Sequence, residues 1–257
     1  MAFEIYFVAT VAALLVGMLV CTEVGYRLGR RWRRSHGDAS TGGGAVEAAV
    51  LGLLGLTLAF SFGGASDRLT TRRDQIVQEA NAIGTAWLRL DLLPQADRLA
   101  LRVLFRDYLE SRIEVYEKFG ERERSNAALA RGGQLQQQIW TAAVGSCPQA
   151  PVAAACMLLL PALNDMFDIT TTRTMAQQTH LPLLIIGLLM LLCGLGGVLS
   201  GYAMAAQKDR NPLQAAIFAL AISATVYVVL DLEYPRAGLI SLGPMDEAIV
   251  GLRETMR

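Results

Sequence analysis

The 257-residue chain is poor in histidine, cysteine and charge. Two histidines, His36 and His180, are too few for a His-rich metal centre. Four cysteines cannot form a disulfide scaffold, and no CxxC pair is present. Charged residues make up 18%, against roughly 25% in soluble domains. Basic and acidic residues number 23 each, so no net positive charge is available to hold nucleic acid. GxSxG, P-loop and HExxH motifs are missing, as is any nucleophile–base set, so an enzyme is not expected. No cofactor or metal is expected either.

Apolar residues are present in excess: 53% of the chain is hydrophobic and a further 24 residues are glycine. They fall into charge-free windows at 5–22, 48–66, 174–207 and 211–230. A bilayer core about 30 Å thick needs about 20 such residues per helix. Four transmembrane helices are predicted, at 3–22, 45–64, 181–206 and 212–231. A fifth window, 132–164, is rejected as a span. Its first half carries Gln134, Gln136, Gln137 and Gln138, and Pro148, Pro151 and Pro161 interrupt the rest. The first span is read as an anchor rather than a signal peptide, because no basic residue precedes it and Arg27, Arg30, Arg31, Arg33 and Arg34 follow it.

These arginines, in an Arg-rich loop at 23–44, and Lys208 and Arg210 in the loop at 207–211 place both short loops in the cytoplasm by the positive-inside rule. The termini and the segment 65–180 then face the opposite, periplasmic side. Arg68, Arg72 and Arg73 pull the other way. Cys147 and Cys156 lie in that segment, either as a disulfide or as two small buried hydrophobes. Cys21 and Cys193 fall inside spans.

The chain divides into 1–64, with spans 1 and 2; a middle domain, 65–180; 181–231, with spans 3 and 4; and a C-terminal tail, 232–257. The middle domain reads as helical throughout. Pro94 closes its first helix, Asp97 is expected to cap a helix over 98–119, and Ser125 is expected to cap the next. A further helix covers about 152–178. The helices after span 2 and before span 3 are expected to prolong those spans out of the bilayer as a stalk. Arg98, Arg102 and Arg106 share one face, read as a solvated surface paired with Asp107, Glu110 and Glu114.

Gly55, Ala59 and Gly63 on span 2, and Gly194, Gly197 and Gly201 on span 3, are small residues of the kind that let helices approach closely in lipid. Leu53, Leu56 and Phe60 lie on one rough face of span 2 and are candidates for a pore lining that gates by dewetting. Asp231 and Glu233 at the end of span 4 need partners. Arg236 or an arginine of the 68–73 group is expected, in a boundary network with Glu47, Arg72 and Arg73. Asn164, Asp165 and Asp168 form an acidic cluster, read as caps and salt bridges rather than a Ca²⁺ site.

Three blocks, "GLLGLTLAFSFGGASDRLTTRRDQIVQEANAIGTAWLRLDLLP" (52–94), "LLLPALNDMFDITTTRT" (158–174) and "YVVLDLEYPRAGLI" (227–240), resemble the bestrophin-like domain family of bacterial membrane proteins. The resemblance implies distant likeness to bestrophins, pentameric anion channels with four spans and a large helical domain between spans 2 and 3. The dense acidic run that follows span 4 in bestrophins is lacking here, so Ca²⁺ gating is not carried over. The expected fold is all-α, with four transmembrane helices and a helical extramembrane domain. The expected activity is that of a homo-oligomeric ion channel in the bacterial inner membrane, with lipid and inorganic ions as partners. The alternative is a non-conducting sensor or scaffold whose middle domain binds a partner.

Overall fold

The computed structural model describes residues 2–36, 43–117, 121–152, 154–206, 211–235, 238–240 and 242–257. About 90% of the described residues are helical, and no strand occurs among them. Four stretches are long and apolar enough to cross a membrane: Val8–Ser35, Gly44–Leu92, Ala155–Met204 and Pro212–Glu233. The chain forms two compact units, one of Met1–Leu69 and His180–Ile240, the other of Thr70–Thr179 and Ser241–Arg257.

The first unit contains α1 (Ala2–His36), the first part of α2 (Gly43–Arg89), α6 (Leu183–Met204) and α7 (Pro212–Glu233). A helix satisfies its own backbone, as hydrocarbon requires. The 22 residues of α6 span about 33 Å, the thickness of the bilayer core. Asn211 starts α7 by accepting the Gln214 N–H at 3.2 Å, and Pro212 follows at a position whose N–H needs no partner. Met18, Leu54, Leu58, Leu189, Leu192, Cys193, Ala219 and Val226 close the core.

The tightest packing lies between α1 and α6. Gly197 lies against Met18 and Thr22, Gly201 against Thr22 and Tyr26, Gly25 against Val198, and Gly29 against Tyr202 and Ala205. Numbers rise together along both helices, so α1 and α6 run parallel. A Cβ on Gly25 would lie 1.9 Å from the Val198 carbonyl oxygen, and one on Gly201 1.9 Å from that of Thr22. Backbone cannot yield at such distances, so only glycine permits the approach.

The first helix runs on past the expected end of span 1. Helix α1 does not stop at residue 22, and the arginines expected in a loop occupy its last turns, to His36. Glycine contacts with α6 accompany it as far as Gly29. Residues 37–42 of the expected Arg-rich loop, and 207–210 with Lys208 and Arg210, lie outside the described residues.

The second unit contains the remainder of α2, α3 (Gln95–Glu117), α4 (Arg122–Ser146), α5 (Ala155–Gln178), α8 (Gly243–Val250) and α9 (Leu252–Thr255). Helices α3 and α4 pair antiparallel: Ser125 donates to the Val115 carbonyl, Gln136 to the Tyr108 hydroxyl and Ser146 to Asp97. Two expected caps therefore have other roles. Helix α3 starts at Gln95, directly after Pro94, and the Asp97 carboxylate takes the Ser146 hydroxyl at 2.6 Å. Helix α4 starts at Arg122, ahead of Ser125.

Cys147 and Cys156 form a disulfide, with Cα atoms 5.7 Å apart, tying the end of α4 to the start of α5. The stalk expected to lead into span 3 is broken, because Pro182 lacks an N–H and α5 ends at Gln178 before α6 begins. The last residues are not a free tail. Arg253 grips Glu110 with two hydrogen bonds, at 2.8 and 2.6 Å, and Arg106 donates to the Met256 carbonyl.

Gly201→Ala is expected to lower stability by at least about 2 kcal/mol through overpacking. Gly17→Ala, whose Cβ would meet nothing within 4 Å, is expected to stay within about 0.5 kcal/mol. Thermal unfolding in detergent compares the two directly.

Candidate functional site

Helix α2 has two faces within the first unit. Leu54, Leu58, Ser61 and Ala65 recur at three- and four-residue spacing and are buried. Leu53, Leu56 and Phe60 point the other way and are 48%, 53% and 73% exposed. Small residues accompany them. A Cβ on Gly52, Gly55 or Gly63 would meet nothing within 4 Å, and Ala59 is exposed. The two rows of small residues therefore differ. Gly197 and Gly201 of α6 are used against α1, with Gly194 beside Cys21, whereas a Cβ on Gly55 or Gly63 of the α2 row would meet no described residue within 4 Å.

At the end of α7, Asp231 and Glu233 are 3% and 2% exposed. Glu233 accepts from the Arg68 guanidinium at 2.7 and 3.0 Å and from the Leu181 N–H at 2.9 Å. Nδ1 of His180 lies 3.4 Å away, its ring stacked on Tyr234 with centroids 4.7 Å apart. Asp231 instead accepts the backbone N–H groups of Leu239 and Ile240, both at 3.2 Å. An arginine of the expected 68–73 group thus pairs with one of the two carboxylates. Among the described residues the Arg68 guanidinium, one α-helical turn before Arg72, bonds Glu233. Among the described residues neither Glu47 nor Arg73 joins this network, and Arg236 lies outside them. This arrangement fastens the start of α6 and the end of α7 to α2.

The second unit holds a separate charge cluster. Glu79 of α2 is fully buried, as are Arg112 of α3 and Arg173 of α5, at 2% and 3% exposure. Both guanidiniums donate to the Glu79 carboxylate, and the Tyr116 hydroxyl donates to it at 2.9 Å. The Arg173 guanidinium lies 4.0 Å from the Tyr116 ring centroid. Burial pushes the Tyr116 phenol up, and the neighbouring Glu79 charge pushes it further. Burial likewise raises Tyr108, whose hydroxyl bonds Thr170 and Gln136. Arg72, one heptad before Glu79, is buried and donates to the carbonyls of Ala176 and Thr179 at 3.2 and 2.8 Å.

The sequence carried a signal for this cluster. Arg72, Ile76, Glu79, Ile83, Ala86 and Leu90 alternate at spacings of four and three, and all are buried. Two ionic residues at core positions of such a stripe require internal partners. Those partners come from distant helices, so their identity was not legible.

The bestrophin-like domain model matches residues 8–245 of the chain. The chain belongs to the bestrophin-like family. No curated protein matches it. The fold is similar to that of a membrane protein of known crystal structure, with a TM-score of 0.60 and 15% identity, over 94% of this chain and 98% of the other.

Two further surfaces of this bestrophin-like protein were marked in its sequence. Asn164, Asp165 and Asp168 are exposed on α5, and no group of carboxylates, histidines or cysteines among the described residues is arranged to hold a metal. Arg98 and Arg102 turn to Asp91, at 3.7 and 2.7 Å, rather than to the acids of their own helix. The rings explain the direction: Arg102 and Arg106 both lie over Trp87, at 5.0 and 5.7 Å.

Glu79→Ala strands two buried guanidiniums and is expected to cost about 3–5 kcal/mol, lowering the unfolding midpoint by about 10 °C. The raised phenols give a pH prediction. A folded-state pKa above the unfolded value of 10.0 means that the folded chain holds the Tyr116 proton more tightly. That contribution is complete below pH 10 and is lost as pH rises beyond it. In an alkaline titration followed by tyrosinate absorbance, Tyr108 and Tyr116 are expected to ionise only with unfolding.

Proposed function

We propose that this chain is one subunit of a homo-oligomeric ion channel, selective for anions, whose pore is lined by α2. The observation that carries the reading is the outward face of α2. Leu53, Leu56 and Phe60 form an exposed bulky apolar row beside glycines whose Cβ would meet no described residue within 4 Å. Apolar side chains dominate the core of the first unit, so the reading routes ions between copies rather than through one unit. Ions crossing between copies, past a ring of Leu56 and Phe60, meet a constriction that dewets. Anion preference and a pentameric assembly follow the family's likeness to bestrophins.

The membrane orientation belongs to the same proposal. Helices α1 and α6 are parallel, so the arginines in the last turns of α1 and the C-terminal end of α6 lie on one side, which the positive-inside rule makes cytoplasmic. The Cys147–Cys156 disulfide suits the second unit to an oxidising periplasm, with the protein in the inner membrane.

Light scattering with the detergent contribution subtracted is expected to give one closed oligomer. In proteoliposomes, Leu56→Ala and Phe60→Ala are each expected to raise anion flux several-fold. A monomer, or flux unchanged in both variants, would overturn the pore assignment and leave a membrane scaffold whose second unit binds a partner.

A further inference from the structure

We propose that the last turns of α1 form a binding site for the phosphate of anionic phospholipid headgroups. Arg27, Arg30, Arg31 and Arg34 recur at i, i+3, i+4 and i+7, which places them on one face of the helix. All four are exposed. The opposite face carries Gly25 and Gly29, pressed against Val198, Tyr202 and Ala205 of α6. The glycine contact therefore does more than pack two helices: it turns the guanidiniums outward as a row.

The same contact sets the height of the row. Gly29 is level with Ala205, where the apolar run of α6 ends. At about 1.5 Å per residue, Arg27 to Arg34 covers roughly 10 Å centred near that level. Each headgroup layer is about 5–8 Å deep, so the row spans the depth at which lipid phosphates lie. Leu28 and Trp32, 49% and 54% exposed, stand on the adjoining face as apolar and aromatic anchors.

Charge accounting favours an anionic lipid. Glu23 pairs with Arg27 at 2.7 Å, and the Arg30 guanidinium lies over the Tyr26 ring at 5.8 Å. No carboxylate among the described residues pairs with Arg30, Arg31 or Arg34. Planar guanidiniums take phosphate oxygens two at a time, which an ammonium cannot do. A lipid phosphate is delivered at the right depth by the bilayer, whereas a free phosphate must come from water.

The test uses the full-length protein in neutral detergent, with thermal unfolding read during titration with phosphatidylglycerol, phosphatidylcholine or inorganic phosphate. Phosphatidylglycerol is expected to raise the midpoint, an effect that weakens with added salt, while the other two leave it unmoved. The triple variant Arg30→Gln, Arg31→Gln, Arg34→Gln is expected to bind phosphatidylglycerol about a hundredfold more weakly, roughly fivefold per arginine. The same three positions as lysine keep the charge that orients the helix and are expected to lose less than tenfold. Should the glutamine variant fail to insert, the wild-type headgroup comparison and the lysine variant decide. Equal stabilisation by phosphatidylcholine, unchanged affinity in the glutamine variant, or inorganic phosphate matching the lipid would each overturn the proposal, the last by making the row a soluble-anion site.

Discussion

The first unit depends on the backbone contact between α1 and α6. Lipid tails are as apolar as leucine, so helices in a bilayer gain little from hydrophobicity alone and associate through close packing. Glycines at positions 25, 29, 197 and 201 provide it. The contact makes the two helices parallel and carries α1 past residue 22 to Gly29, the level at which its arginines emerge. It also leaves the small residues of α2 uncommitted, which is what makes a pore-lining role physically available to that helix.

The second unit is organised differently, around charge. Glu79 is a single carboxylate serving two guanidiniums and a phenol in a region closed to water. Such a cluster is a weak source of net stability, since desolvating the ions offsets much of their attraction. It is a strong constraint on register. Sliding α2 past α3 by one position would strand Glu79, Arg112 and Arg173 together, at several kcal/mol. The cluster thus selects one alignment of α2, α3 and α5 from several that apolar side chains alone would accept.

The carboxylates at the end of α7 show how a membrane boundary handles charge. Glu233 gathers Arg68, His180 and a backbone N–H, while Asp231 two positions earlier takes the backbone N–H groups of Leu239 and Ile240. Neither is left for solvent, and neither is placed along the outward face of α2. In the proposed channel these groups hold the frame, and the apolar row of α2 forms the barrier.

Four spans and the all-helical class were legible in the sequence because both follow from local rules: hydrocarbon excludes charge and demands helices. Ends were less legible. Residue 22 is the last before a charge, yet α1 continues, because the glycines at 25 and 29 bind it to α6 and the Glu23–Arg27 pair neutralises the nearest charges. Partners were least legible. Glu79 stands within a heptad stripe that marks it as buried, but its cations lie 33 and 94 positions away. By itself the sequence determined which segments leave water and how they coil, since those depend on neighbours along the chain. Tertiary structure alone decided which glycine row meets another helix, which arginine reaches Glu233 and which face of α2 stays open, because each is settled by contacts between residues that no spacing relates.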